Sequence, residues 1–165
     1  RDPEAYIESL AKAYPKASPG KLHEIIWTDM FRRIAIKAAE TSSAHGAGGW
    51  LYRFDLPVNL DASEHVGTPH ASEMAFTFNT VSKPTSHAYT FHDIRDPVVQ
   101  RVGLHWSGLV IAMARWGNPN RYGHANSLPE WPQYQSTQRL CLCIDEEFSV
   151  ARDPDKLHRI LWGAD

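Results

Sequence analysis

Histidines are concentrated in one stretch of the chain. Four of the nine lie between residues 56 and 96, at His65, His70, His87 and His92. An imidazole can transfer protons near neutral pH or bind a metal ion. His70 is also followed, three residues later, by the carboxylate of Glu73 and then by an aromatic segment. From these residues alone, His70 is a candidate general base, a candidate metal ligand or a structural histidine.

The spacing of these histidines is not typical of a metal site. Zinc sites favour short, regular patterns such as H-x-x-x-H or H-E-x-x-H on a helix, and neither pattern occurs in the chain. Zinc binding therefore stays as a weak alternative, and we expect no cofactor.

The two cysteines, Cys141 and Cys143, are separated by one residue in an apolar run. Residues two apart on a strand point to the same side but are poorly placed for a disulfide. We interpret both as free thiols, with metal binding and a redox role left open. Free thiols suit a reducing compartment or a protein that needs no disulfides. We expect a cytoplasmic protein, with secretion as the alternative.

Four segments of the chain have helix signals, and these elements must position the histidines. The segments cover about residues 3–14, 19–41, 97–116 and 154–161. Three of them begin with a capping residue and a proline, at Asp2-Pro3, Ser18-Pro19 and Asp153-Pro154. In the second helix, apolar residues recur at helical spacing and predict a buried stripe. They are Leu22, Ile25, Ile26, Met30 and Ile34.

Strand signals are fewer, at about residues 50–55 and 139–144. The long stretch from Leu56 to Asp96 has little regular pattern. Two strands do not make a stable sheet on their own, and a self-sufficient α/β domain should show more alternation of strands and helices. The sequence therefore predicts that residues 1–165 form a single segment of a larger domain.

Composition and charge argue against several classes of partner. The net charge is −2, so we expect neither nucleic acid nor an anionic membrane as partner. No apolar run reaches the roughly 20 residues of a membrane span. The first residues, Arg-Asp-Pro-Glu, lack the apolar core of a signal peptide.

Several short motifs occur in a particular order along the chain. They are Thr28-Asp29-Met30-Phe31, Trp50 to Asp55, Gly67 to Phe78, His105-Trp106, Arg115 to Asn120 and Trp131 to Tyr134. In this order, the series resembles the C-terminal third of the type-B carboxylesterases, which include para-nitrobenzyl esterases and cholinesterases. The resemblance extends roughly from Leu22 to Trp162 and implies the C-terminal part of an α/β-hydrolase fold.

The resemblance also implies roles for individual residues. His70 matches the histidine of the family's Ser-(Glu/Asp)-His triad, in which the imidazole accepts a proton from the serine hydroxyl. Glu73 matches a glutamate that acts near the triad through hydrogen bonds or water; the alternative is a surface or helix-capping carboxylate. Phe76 and Phe78 are expected in the core, with contact to the substrate as the alternative. No Gly-x-Ser-x-Gly motif occurs, so the serine and the acid are expected upstream of Arg1.

The resemblance therefore favours a carboxylic ester hydrolase to which this chain contributes the histidine. The expected partners are a small-molecule ester in the complete enzyme and the N-terminal part of the same protein, with a second copy of the chain as a further candidate. The alternative is a non-catalytic, cholinesterase-like interaction module. Such modules typically lack triad residues, whereas His70 is present here.

We predict that the isolated chain does not turn over esters. A lone imidazole lacks the serine nucleophile and the oxyanion donors, which are among the largest contributions to acyl transfer. Hydrolysis of p-nitrophenyl acetate should not exceed that of free imidazole at the same concentration. Saturable turnover that survives repurification would show that the chain has its own nucleophile.

Overall fold

A computed structural model describes residues 2–58, 67–81, 92–123 and 127–163. Within those residues the helices are α1 (Pro3–Ala13), α2 (Pro19–Ala44), α3 (Met74–Thr77), α4 (Pro97–Trp116) and α5 (Lys156–Leu161). The strands are β1 (Tyr52–Phe54), β2 (Leu140–Ile144) and β3 (Phe148–Arg152). The predicted mixture of helices and strands is confirmed.

The three long helices begin at the residues predicted from the sequence, and each start has a capping side chain. The side chains of Asp2, Ser18 and Asp96 accept hydrogen bonds from backbone N–H groups of α1, α2 and α4, and a proline follows each cap. Each cap of this kind stabilises its helix by about 1 kcal/mol. The α4 helix ends at Gly117, whose φ of 65° is left-handed and suits glycine.

The start of the last helix was predicted two residues too early. The α5 helix begins at Lys156, with Asp155 as its N-cap residue. Asp153 has a φ of 48°, which is outside the right-handed helical region. The Asp153-Pro154 pair therefore belongs to the turn before the helix.

The sheet has the order β1-β2-β3. The β1 and β2 strands are parallel, with Tyr52 opposite Leu142 and Phe54 opposite Ile144. The β3 strand was not predicted. Because three residues are too few for a parallel crossover, β3 runs antiparallel to β2. Within the described residues β1 has a strand neighbour on one side, so it lies at a sheet edge.

The chain divides into two compact units. One unit comprises Tyr52–Pro132 and Leu140–Ala151 and contains the sheet, α3 and α4. Its core combines the buried β2 strand with apolar residues of the helices and loops. Among them are Leu56, Phe76, Val99, Val102, Trp106, Leu109, Trp131, Leu142 and Ile144.

The other unit comprises Arg1–Leu51, Gln133–Arg139 and Arg152–Asp165. At its centre is Asp29, a buried carboxylate on α2. Its oxygens accept hydrogen bonds from Tyr6, from Arg32 at 2.7 Å, from His158 at 3.0 Å and from Trp162 at 3.0 Å. Because Tyr6 is on α1 and His158 is on α5, this one carboxylate connects three helices.

The predicted buried stripe of α2 is only partly correct. Ile25 is buried, but Met30 and Ile34 are exposed, Ile34 to 67%. The buried face continues instead through Asp29 and Ala39. The spacing of apolar residues predicted the wrong buried face because α2 has large apolar side chains on two faces. The face that is buried also includes a carboxylate, which hydrogen bonds stabilise.

Asp29→Ala should lower the free energy of unfolding by about 3 kcal/mol, because it leaves buried donors without their acceptor. Burial acts to raise the pKa of Asp29, but hydrogen bonds from His158, Tyr6 and Trp162 and the charge of His158 outweigh it, so the pKa lies below its usual value. This stabilisation is therefore present above the unfolded-state pKa of about 4 and is lost as the pH falls below it.

Denaturant unfolding at several pH values tests this expectation. Glu24→Gln is the matched control, because Glu24 forms an exposed ion pair with Lys21 on the same helix. Such a pair contributes less than about 1 kcal/mol. Equal destabilisation by the two variants would contradict the role assigned to Asp29.

Candidate functional site

The candidate site lies beyond the carboxyl end of β1. The N–H groups of Asp55 and Leu56 both donate to the carbonyl of Ile144, at 2.7 and 3.0 Å. The Thr68 hydroxyl lies 3.0 Å from the carbonyl oxygen of Asp55 and 3.2 Å from that of Leu56. The segment that contains His70 is therefore held at the end of this parallel strand. Ligands of α/β proteins bind at this edge of the sheet.

His70 itself is exposed. It is carried on a tight turn in which the Ser72 N–H donates to the carbonyl of Pro69 at 3.2 Å. Ala71, the next residue, has a φ of 66°. A left-handed alanine costs on the order of 1 kcal/mol and persists only where its surroundings hold it. The turn thus presents the His70 imidazole to solvent from a constrained backbone.

The short α3 helix anchors this turn in the core. Phe76 is fully buried and its ring packs on those of Phe54 and His92, with centroids 5.1 and 5.0 Å apart. On the same helix, the Thr77 hydroxyl accepts a hydrogen bond of 2.8 Å from the Trp106 indole. The prediction that Phe76 is a core residue is confirmed.

The same prediction for Phe78 is wrong, because its side chain is 70% exposed. The α3 helix ends at Thr77, so Phe78 does not continue the face that buries Phe76. Met74, at the start of the helix, is also exposed. Two large apolar side chains are thus accessible close to His70 in sequence.

Glu73 is half-buried and immediately precedes α3. Its carboxylate does not cap the helix, so the alternative of a helix-capping carboxylate does not apply. Burial, and then the negative charge of Glu73, raise the pKa of the Tyr52 hydroxyl. Glu73 therefore acts electrostatically on a residue of β1, the strand from which the His70 loop departs.

Of the other three histidines of this stretch, the structure describes His92. His65 and His87 lie outside the described residues. His92 is buried against Phe76, and neither of its ring nitrogens has a hydrogen-bond partner of normal geometry in the described part of the chain. Burial lowers the pKa of His92, although the backbone carbonyls of Leu56 and Pro57 and the charge of Asp96 partly offset it. His92 is therefore a neutral core residue.

The described residues contain no group of three or more His, Cys, Asp or Glu side chains arranged to hold a metal ion. Cys141 and Cys143 are buried and are not joined to each other. No helix in the described part of the chain is both long enough and apolar enough to cross a membrane.

Two contributors to the site were missed from the sequence. The Thr68 hydroxyl attaches the loop to the end of β1. In the sequence, the only indication of this role is a hydroxyl residue two positions before His70. Ser72 is buried, and its hydroxyl has no hydrogen-bond partner among the described residues. Buried hydroxyls normally have a partner, and nothing in the sequence distinguishes this serine from an exposed turn residue.

Comparison with known proteins supports the resemblance seen in the motifs. The chain is 30% identical, over 153 residues, to a para-nitrobenzyl esterase of Bacillus subtilis strain 168. The match covers 92% of this chain and 29% of that esterase. The resemblance to the type-B carboxylesterases is confirmed. No family model matches the sequence.

Solved structures agree with this result. A carboxylesterase of Geobacillus stearothermophilus is similar with a TM-score of 0.75 and 24% identity, over 97% of this chain and 32% of that one. An esterase of Clostridium hathewayi, described as hydrolysing aliphatic aromatic polyesters, is similar with a TM-score of 0.65 and 20% identity, over 98% and 30% of the two chains. The fold is thus part of the α/β-hydrolase fold, and the chain spans about a third of the length of these esterases.

His92→Phe should reduce the loss of stability on mild acidification. The folded-state pKa of His92 is lowered. The contribution of neutral His92 to the free energy of unfolding is therefore present above the unfolded-state pKa of about 6.5 and is lost as the pH falls below it. Phenylalanine fills a similar space without binding a proton. The fall in Tm between pH 7.5 and pH 5.5 should therefore be smaller in the variant than in the wild type.

The control is His45→Gln, which changes an exposed histidine at the end of α2. Its dependence of Tm on pH is measured beside those of the wild type and His92→Phe. An equal change of Tm with pH in the wild type and both variants would mean that His92 does not cause the loss of stability in acid.

Proposed function

We propose that the chain is part of a carboxylic ester hydrolase and supplies His70 as the general base. The observation that carries the proposal is the exposed His70 imidazole on a constrained turn at the carboxyl end of a parallel strand. The sequence similarity to a para-nitrobenzyl esterase supports the reaction class.

In the proposed mechanism His70 accepts the proton of a serine hydroxyl as that oxygen attacks the ester carbonyl. His70 then donates the proton to the departing alcohol. A carboxylate on the other ring nitrogen fixes the tautomer and stabilises the imidazolium. The serine and this acid come from the part of the esterase that has no counterpart in this chain.

The proposed role of Glu73 is to tune the site rather than to transfer the proton. Its half-buried carboxylate acts on Tyr52 and follows the His70 turn by three residues. The resemblance to the type-B carboxylesterases implies that this carboxylate acts near the triad through hydrogen bonds or water. Glu73 is thus proposed as a positioning residue.

The proposed substrate is a small-molecule ester, and the proposed partner is the N-terminal part of the same protein. A non-catalytic interaction module would not need an accessible imidazole in a strained turn. For this reason we favour the enzyme over the module. A cytoplasmic location and a second copy of the chain as partner stay predictions.

His70→Ala in the complete enzyme should lower kcat by about 10⁴-fold or more, because loss of one triad member removes most of the rate enhancement. The free energy of unfolding should change by less than about 0.5 kcal/mol, since an exposed loop side chain contributes little packing. Steady-state hydrolysis of p-nitrophenyl acetate and thermal unfolding measure the two effects.

Matched variants sharpen this test. His65→Ala and His87→Ala, in the same stretch of sequence, should leave kcat within a fewfold of the wild type. Glu73→Gln should lower kcat less than His70→Ala does. An active His70→Ala enzyme together with an inactive variant of another histidine would show that the general base is assigned to the wrong residue.

A further inference from the structure

A second candidate site lies away from His70, in the unit that contains Asp29. It is a cleft of about 380 Å³ next to the turn that precedes β2 and the segment that follows β3. Its lining includes the four cationic residues Arg139, Arg152, Lys156 and Arg159 and the hydroxyl residue Thr137. A single small cleft thus collects four of the chain's seventeen cationic side chains.

Two of these cations are neutralised by carboxylates. Arg139 forms an ion pair of 2.8 Å with Glu40. Arg159 forms a two-pronged pair with Asp153, at 2.7 and 3.2 Å. The side chains of these two ion pairs are mostly buried, so they are held in place where they line the cleft.

The other two cations are not neutralised. Arg152 and Lys156 are exposed, and their side chains form no ion pair within the described residues. Four cations against two carboxylates leave two positive charges at the cleft. A cleft lined by positive charge raises the local concentration of anions.

The backbone around the cleft is held in an unusual conformation. Arg139 and Asp153 are not glycines, yet their φ angles are 53° and 48°. The Asp153 N–H donates to the carbonyl of Arg139 at 2.8 Å, which ties the two sides of the cleft together. Strained residues of this kind cost on the order of 1 kcal/mol each and are concentrated at ligand clamps and active sites.

We propose that this cleft binds a small multivalent oxyanion carrying phosphoryl groups, of about the size of pyrophosphate. The Arg152 guanidinium can bind phosphoryl oxygens with paired hydrogen bonds, and Lys156 adds a compact point charge. The volume of 380 Å³ is at the lower end of the range for small-molecule sites. The Thr137 hydroxyl supplies a further donor. The site is independent of the proposed esterase chemistry.

Calorimetric titration with inorganic pyrophosphate at constant ionic strength tests the proposal. Saturable 1:1 binding is expected, and Arg152→Gln and Lys156→Gln should each weaken it by about tenfold, since each removes a charge-assisted contact. Both residues are exposed, so circular dichroism should show an unchanged fold.

Two variants serve as matched controls, Arg33→Gln and Lys16→Gln, which remove exposed cations outside the cleft. They should bind pyrophosphate with the affinity of the wild type. Equal weakening in all four variants, or no saturable heat at millimolar pyrophosphate, would overturn the proposal. Binding to phosphatidic acid vesicles without binding of free pyrophosphate would also overturn it, because the source of the phosphoryl group would then be a lipid surface.

Discussion

The geometry of the candidate active site depends on the parallel pairing of β1 with β2. At the end of this pairing, the Ile144 carbonyl accepts hydrogen bonds from two successive N–H groups, those of Asp55 and Leu56. The carbonyls of these same two residues face the Thr68 hydroxyl. One backbone position in β2 thus fixes the end of β1, and that end in turn fixes the loop that presents His70. A small shift of the strand would move the imidazole with it.

Exposed apolar side chains are common on the long helices. On α2 they follow one another at helical spacing, at Trp27, Met30, Phe31 and Ile34. On α4 they include Leu104 and Ile111. A helix that is apolar on more than one face is typical of the interior of a larger protein. This pattern agrees with a chain that spans 29% of the esterase it resembles in sequence.

The sequence predicted those features that depend on local signals. The starts of α1 and α2 at Asp2-Pro3 and Ser18-Pro19 and the extent of α4 are set by the residues at those positions, and the His70 motif is a contiguous pattern. Features that depend on distant residues were not predictable. The burial of Asp29 requires donors from three helices, and the burial of His92 requires the aromatic ring of Phe76. The β3 strand was missed because Phe148–Arg152 has weak alternation and gains its regularity from pairing with β2.

The central claim is that this chain supplies the general base of a longer esterase. Reconstitution tests it most directly: the chain is combined with the remaining part of the enzyme, and hydrolysis of p-nitrophenyl acetate is followed. The wild-type chain and His45→Gln should both restore turnover, whereas His70→Ala should associate with the same partner and restore none. Restoration of full turnover by the His70→Ala chain would contradict the account.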